Sequence, residues 1–327
     1  MTQKQKILLS FLLPAIIALL AIAVFLEQSH RKLAIERWSI EHKALVHAIG
    51  DAMQAKINEA RAVLGYTAQL KPFSHLESIE RIDRSLKGIP PYLETEKRKT
   101  LDTLLENSRG ISAVFILLPN GDHYLSHPFS VQKSLKKYNL ADRAYFQEAR
   151  RTKKPTVSDS LIGADGKMAV VVDIPLLDAN GEIYAHLGGV VQLDKLSALV
   201  SPEQIAPFDM GLLIDRQDKL IAHTDANQVG PESQIIRYKH PLLAKSSEAD
   251  GHTRFMRWTD DDGKEWLSFV EHLDGGWNLL LQRRLDSVVA EHAYAVRESV
   301  LMVALILMLT GGIGLGVAMI TARRWEK

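Results

Sequence analysis

FILLPNGDHYLSH, residues 115–127, and GLLIDRQDKLIAH, residues 211–223, decide the fold. Each reads as an apolar strand, a polar turn, a second apolar strand and a histidine, and the two align at an offset of 96 residues. Pro119-Asn120-Gly121-Asp122 is turn chemistry set between strand formers. One hairpin unit used twice implies two modules of one kind, split near Ser201-Pro202.

The flanking sequence fills in both modules. In the first, strands are expected at 111–118, 123–127, 168–174 and 183–193, with a turn at Asp178-Ala179-Asn180-Gly181 and a short helix over 145–151. In the second, strands are expected at 252–258, 264–272 and 277–282, with a helix from Arg283 onward. Upstream, residues 27–67 contain no proline and only Gly50 and Gly65. Leu45, Ile49, Met53, Ile57, Ala60 and Leu64 recur every three or four positions, which places them on one helix face. At 1.5 Å per residue this helix reaches about 60 Å.

Two uncharged apolar runs, 7–26 and 300–322, bracket the modules. Both have the roughly 20-residue length that crosses a bilayer as helix. Lys4 and Lys6 precede the first, and Arg323, Arg324 and Lys327 follow the second. Short basic flanks stay cytoplasmic, so both termini are expected inside and the long insert outside. Ala21-Ile22-Ala23 offers a signal-peptide reading of the first run, but its apolar residues continue through Leu26, which favours a span. The absence of cysteine fits an oxidising compartment. A net charge of +1 leaves no nucleic-acid footprint.

Catalytic and cofactor motifs are missing. The 12 histidines show no metal spacing, there is no phosphate loop, and there is no Gly-x-Ser-x-Gly elbow. The glycines of 311–316 follow no strand; Gly312 and Gly316 form instead a small-residue face for helix association. No enzyme activity, cofactor or metal is expected. Kinase, cyclase, methyl-accepting and HAMP signatures are absent up to Lys327, so an enzymatic output is expected only beyond it or in a membrane partner.

Four stretches resemble the double Cache family, the paired PAS-like sensors outside the membrane in bacterial chemoreceptors, histidine kinases and diguanylate cyclases. They are NLADRAYFQEARRTKKPTVSD (139–159), the strand-turn-strand of 169–196, LLIDRQDKLIAHTD (212–225) and DGGWNLLLQRRLDSVV (274–289). The expected fold class is α+β: two tandem PAS-like (Cache) modules with antiparallel sheets on a long N-terminal helix, flanked by two transmembrane helices. In order these are a tail (1–6), a span (7–26), the long helix (27–70), a membrane-distal module (71–200), a membrane-proximal module (201–284), a connecting helix (285–299), a span (300–322) and a tail (323–327). The resemblance implies a two-pass protein of the bacterial inner membrane with a periplasmic sensor.

It further implies that the distal module holds a ligand near the DRAYF stretch, which puts Arg143, Tyr145 and Phe146 at the pocket. Tyr124 and Ser126 alternate on the strand after the turn and are expected to face the same pocket. Amino-acid binders of the family resemble one another in an Arg-x-Trp-Tyr cluster and a later strand Asp that holds the ammonium. Here Tyr145 and Phe146 stand for Trp and Tyr, and Val190 stands for the Asp. A buried ammonium without an acceptor is costly, whereas Arg suits bidentate carboxylate recognition. An organic carboxylate is therefore expected ahead of an amino acid. Asp173 and Asp159 are the candidates to restore the missing acid; Asp173, a carboxylate in an apolar strand, could equally pair structurally with an Arg or a backbone donor.

The function expected is that of a ligand-sensing receptor module signalling across the membrane. The rival is a scaffold that binds a periplasmic protein partner, with a collapsed pocket. A homodimer is expected, with the 45–64 stripe and the Gly312/Gly316 face available for self-association.

Overall fold

Helix α1 (Gln3–Ala68) is one unbroken element with Pro14 inside it, so the long helix continues without interruption from the first apolar run. The computed structural model describes residues 3–108, 110–163, 168–192, 196–229, 238–244 and 253–291, with part of 298–316. Among the described residues no helix is long and apolar enough to cross a membrane. The side chains of residues 1–12, 15 and 19, and about half of those in 300–322, lie outside that description.

Two compact units divide the chain. One comprises Met1–Lys43, Thr259–Leu267 and Arg283–Lys327; the other comprises Ala44–Trp258 and Ser268–Gln282. In the first, Ala34 and Trp38 are buried and Arg31 pairs with Glu265. In the second, the α1 stripe is taken up by the chain's own core. Val46, Met53 and Leu64 are fully buried, and Leu64 packs where a Cβ on Gly189 would otherwise sit, 2.4 Å away. Val46 fills the slot expected of Leu45, which is only half-buried. The stripe therefore packs on its own domain, the reading that its periodicity left open beside self-association.

After α1 come α2 (Thr95–Asn107), β1 (Ile111–Leu117), β2 (His123–His127), α3 (Phe129–Ser134), α4 (Ala144–Thr152), β3 (Thr156–Val157), β4 (Leu161–Ile162), β5 (Met168–Leu177) and β6 (Ile183–Gln192). The strands form an antiparallel sheet ordered β2-β1-β6-β5-β3, with β4 also on β5. Next come β7 (Met210–Ile214), β8 (Leu220–His223), β9 (Thr253–Thr259), β10 (Glu265–His272) and β11 (Asn278–Arg284), ordered β8-β7-β11-β10-β9. The two orders are the same pattern: a leading hairpin pairs through its first strand with the last strand of the module. Strand β11 runs through Arg284, two residues past its expected end at Gln282.

Among the described residues one turn recurs five times. At Leu118, Asp178, Asp215, Asp260 and Leu273 the N–H donates to the carbonyl four residues on, at 2.8–2.9 Å, and accepts at its own carbonyl from the residue three on, at 2.8–3.2 Å. That fourth residue needs positive φ, a type I turn closing into a bulge. Glycine supplies it at 121, 181, 263 and 276, and Asp218 at φ 61°. The recurrence corrects the repeat's offset. Leu118 corresponds to Asp215 and Gly121 to Asp218, so the hairpins superpose at 97 residues rather than 96. His127 and His223 are consequently not equivalent, because a slip of one residue moves a strand side chain to the other face.

Gly121 and Gly263 separate backbone strain from crowding. A Cβ at Gly121 would lie 2.5 Å from the Ala141 nitrogen, whereas at Gly263 it meets nothing within 4 Å. Both alanine variants carry the left-handed penalty. Gly121→Ala should cost about 1–3 kcal/mol more than Gly263→Ala through overpacking, as read by urea denaturation.

Candidate functional site

The β1–β2 turn also anchors the segment that leads into α4. Asn139 Nδ2 donates to the Asn120 carbonyl (3.0 Å) and to Asp122 Oδ1 (2.7 Å), and the Leu140 N–H donates to the Gly121 carbonyl (2.8 Å). Asn139 Oδ1 accepts from the Ala141 N–H at 3.0 Å. This pins 139–143 to the hairpin and delivers Arg143 as the residue that starts α4, with extended φ/ψ of −71° and 130°.

Arg143 and Tyr145 line a cavity of about 620 Å³. Phe115, Val171 and Val190 contribute apolar wall; Ser112, His123, Ser126 and Ser160 contribute polar wall; and Lys136, Lys137 and Lys219 bring further cations. The Phe115 ring covers Gly188, where an added Cβ would fall 2.1 Å from it. Lys137 is paired with Asp142 at 2.7 Å. Among the described residues Arg143, Lys136 and Lys219 form no ion pair, although Lys137, and with it the Arg143 charge, lowers the neighbouring Asp142 carboxyl, and no described lining residue is an acid. Val190, where the resemblance places an acid, is apolar wall.

The other predicted residues lie elsewhere, for identifiable reasons. Tyr124 does not share a face with Ser126. Leu117 pairs with His123 and Ile116 with Leu125, so Tyr124 is the extra residue of a β-bulge. The bulge sends Tyr124 to the core beside Ala60 and Leu64, and brings His123 and Ser126 together on the cavity side. Tyr124 Oη donates to Glu94 and accepts from the Ser78 N–H (3.0 Å). Glu94 also accepts from the Glu77 N–H (2.9 Å) and from Lys97 Nζ (2.5 Å). Burial raises Glu94, but Lys97, Tyr124 and the Glu77 N–H together hold it below the usual carboxylate range. Burial, then Glu94, pushes the Tyr124 phenol upward.

Phe146 is fully buried, its ring 4.4 Å from that of His186. Adjacent helical residues point about 100° apart; Tyr145 lines the cavity, while Phe146 packs behind its wall in one apolar cluster with Phe115, Tyr145 and Val171. Asp173 is fully buried and pairs with His186 Nδ1 at 3.1 Å. Burial raises its carboxyl, against the pull of His186. Asp159 binds Arg216 Nε at 2.7 Å and Gln217 Nε2 at 3.2 Å. It lines a neighbouring cleft that shares Arg143, Tyr145, Ser160 and Leu161 with the cavity. Neither acid is free to receive an ammonium in the cavity.

His123, Ser160, Lys136, Lys137 and Lys219 were not anticipated as lining. Ser160 is held by Asp215, a fully buried turn carboxylate that accepts from the Ser160 N–H (3.2 Å) and Oγ (2.8 Å), and from the N–H groups of Gln217 (2.8 Å) and Lys219 (2.9 Å). Its equivalents Asp178 and Asp260 cap their own turns in the same way, but Asp178 is exposed and Asp260 only half-buried. Among the described residues no cluster of three or more His, Cys, Asp or Glu could hold a metal ion.

Burial lowers His123 from 6.5 to about 4, against a hydrogen bond to the Lys87 carbonyl that raises it. Between those values the unfolded chain binds a proton that the folded chain refuses, so stability falls as pH falls. His240, also lowered to about 4 by burial, acts in the same direction. Urea midpoints should drop from pH 6.5 toward 5. His123→Gln should flatten that dependence by up to about 1.4 kcal/mol per pH unit.

Comparison with known proteins agrees with this architecture. Residues 27–291 match the family model dCache_1, the Cache domain. The ligand-binding domain of the Pseudomonas fluorescens chemoreceptor CtaA, solved with L-isoleucine, is similar at TM-score 0.56 and 14% identity, covering 80% of this chain and 98% of that one. The sensory domain of the Campylobacter jejuni chemoreceptor Tlp3 is similar at TM-score 0.53 and 16% identity, covering 81% and 99%. At such identities the likeness is one of fold. Sporulation kinase D of Bacillus subtilis (strain 168) is 35% identical over 66 residues, which are 20% of this chain and 13% of that protein's length.

Proposed function

The chain belongs to the Cache domain family, and on that premise we propose that it is the sensing module of a transmembrane receptor whose distal cavity binds a small organic carboxylate. The observation that carries the ligand class is the charge of the wall. Arg143, Lys136 and Lys219 meet no carboxylate among the described lining residues, while Val190, Asp173 and Asp159 offer an ammonium nothing. Unpartnered cations around an apolar floor favour a carboxylate over an amino acid. A cavity of about 620 Å³ also favours a small molecule over the scaffold reading.

The membrane half of the proposal places spans at 7–26 and 300–322. Support comes from their sequence and from large apolar side chains that stand exposed there, including Leu13, Ile17, Leu20 and Phe25 in α1 and Leu301, Leu305 and Leu309 near the other end. Such surfaces demand a non-aqueous neighbour. The signal leaves through α1 and the helix that starts at 285, to a cytoplasmic output or a membrane partner, in a homodimer. The ligand must bind two states unequally to drive it.

A thermal-shift screen of organic acids, amino acids and cations on the solubilised chain tests the ligand class. A carboxylate at about 100 times its Kd should stabilise the protein by about 2.7 kcal/mol. Arg143→Ala should abolish the shift and Arg143→Lys should reduce it, because the bidentate fork is lost. Best hits among cations, or an undiminished shift in Arg143→Ala, would contradict the reading. Reporters active only outside the membrane should light up when fused after Leu161 and stay dark after Lys327.

A further inference from the structure

Two polar residues of the cavity wall, His123 and Ser126, are bonded to each other in a fixed sense. His123 Nδ1 lies 2.9 Å from the Lys87 carbonyl, which can only accept, so Nδ1 carries the ring proton. Nε2 is then a bare acceptor, and Ser126 Oγ sits 2.8 Å from it. The serine hydroxyl has one proton, and that proton points at Nε2. What Ser126 presents to the cavity is lone pairs alone.

Three observations hold this polarity. Burial keeps the imidazole neutral at neutral pH, so Nε2 stays an acceptor. Rotating the serine proton toward a ligand would strand Nε2 as a buried acceptor without a partner. The Ser126 backbone is clamped as well, its N–H donating to Gln132 Oε1 at 3.0 Å and its carbonyl accepting from Arg98 at 3.3 Å. Gln132 is itself buried and anchored to the Leu86 and Ile89 carbonyls at 2.9 and 3.0 Å.

The wall thus asks for a donor at Ser126, while its cations ask for an anion. An ammonium would satisfy the first demand but would face Arg143, Lys136 and Lys219 with no described acid lining the cavity. A hydroxyl is a donor that brings no charge. Resting on the carboxylate reading, we propose that the His123–Ser126 pair makes the site select a hydroxycarboxylate over its deoxy analogue. The carboxylate meets the cations, the ligand hydroxyl donates to Ser126 Oγ, and the carbon skeleton lies on Phe115, Val171 and Val190.

Isothermal titration of the solubilised full chain with matched pairs tests this: malate against succinate, lactate against propionate, 3-hydroxybutyrate against butyrate. The hydroxy member of a binding pair should bind about tenfold tighter, the worth of one net hydrogen bond of ordinary strength. In Ser126→Ala that ratio should fall to about one. A ratio of two dissociation constants is insensitive to a general loss of stability, and the wild-type pairs decide the matter even where the variant does not fold. Equal or tighter binding of the deoxy member, or a preference that survives Ser126→Ala, overturns the proposal and leaves the carboxylate reading standing. No binding by any of the six acids overturns both for these probes.

Discussion

The bulge at Tyr124 is the constraint on which the site depends. The five-residue turn closing β1 onto β2 admits one extra residue, and that residue decides which face each β2 side chain takes. Tyr124 goes to the core, where its phenol joins Glu94, Lys97 and the Ser78 N–H in a dry polar cluster. His123 and Ser126 go to the cavity. The same turn receives Asn139 and Leu140, so it also sets where Arg143 begins α4. A register shift of one residue would reverse these placements together.

Around that frame the acids are committed and the cations are not. Glu94 serves Lys97 and Tyr124, Asp173 serves His186, Asp159 serves Arg216, and Asp215 collects four donors. A buried carboxylate without partners is expensive, and each of these has found its partners; among them only Asp215 reaches the cavity wall, through Ser160 and the Lys219 N–H. The cations Arg143, Lys136 and Lys219 are left facing the cavity without a carboxylate among the described lining residues. Asp215 adds a second consequence: it is the tie that holds the lining residue Ser160 to the β7–β8 turn.

Much of this was legible in the sequence. Apolar strands punctuated by Asn-Gly and Asp-Gly turns announced both sheets, the helical stripe announced α1, and DRAYF announced the cavity rim. What escaped were features set by register and tertiary contact. Alternation predicted Tyr124 beside Ser126, and a bulge, fixed by turn geometry rather than residue pattern, separated them. Tyr145 and Phe146 were read as a pair, though successive helical side chains diverge. Asp173 was expected to need either a ligand or a structural partner; that partner is His186, which becomes its neighbour only once β5 and β6 are in register, with Pro175 opposite His186. Lys219 and Ser160 reach the cavity through the fold, from segments with no local signature.

The central claim is that net positive charge, with no acid among the described lining residues, selects what enters the cavity. The most direct measurement is calorimetric titration of the solubilised chain with carboxylic acids and their neutral amides of equal shape, such as lactate against lactamide and succinate against succinamide. The account predicts that the acids bind and the amides do not, with affinity for the acids falling as salt rises. Amides binding as well as their acids, with no dependence on salt, would contradict it.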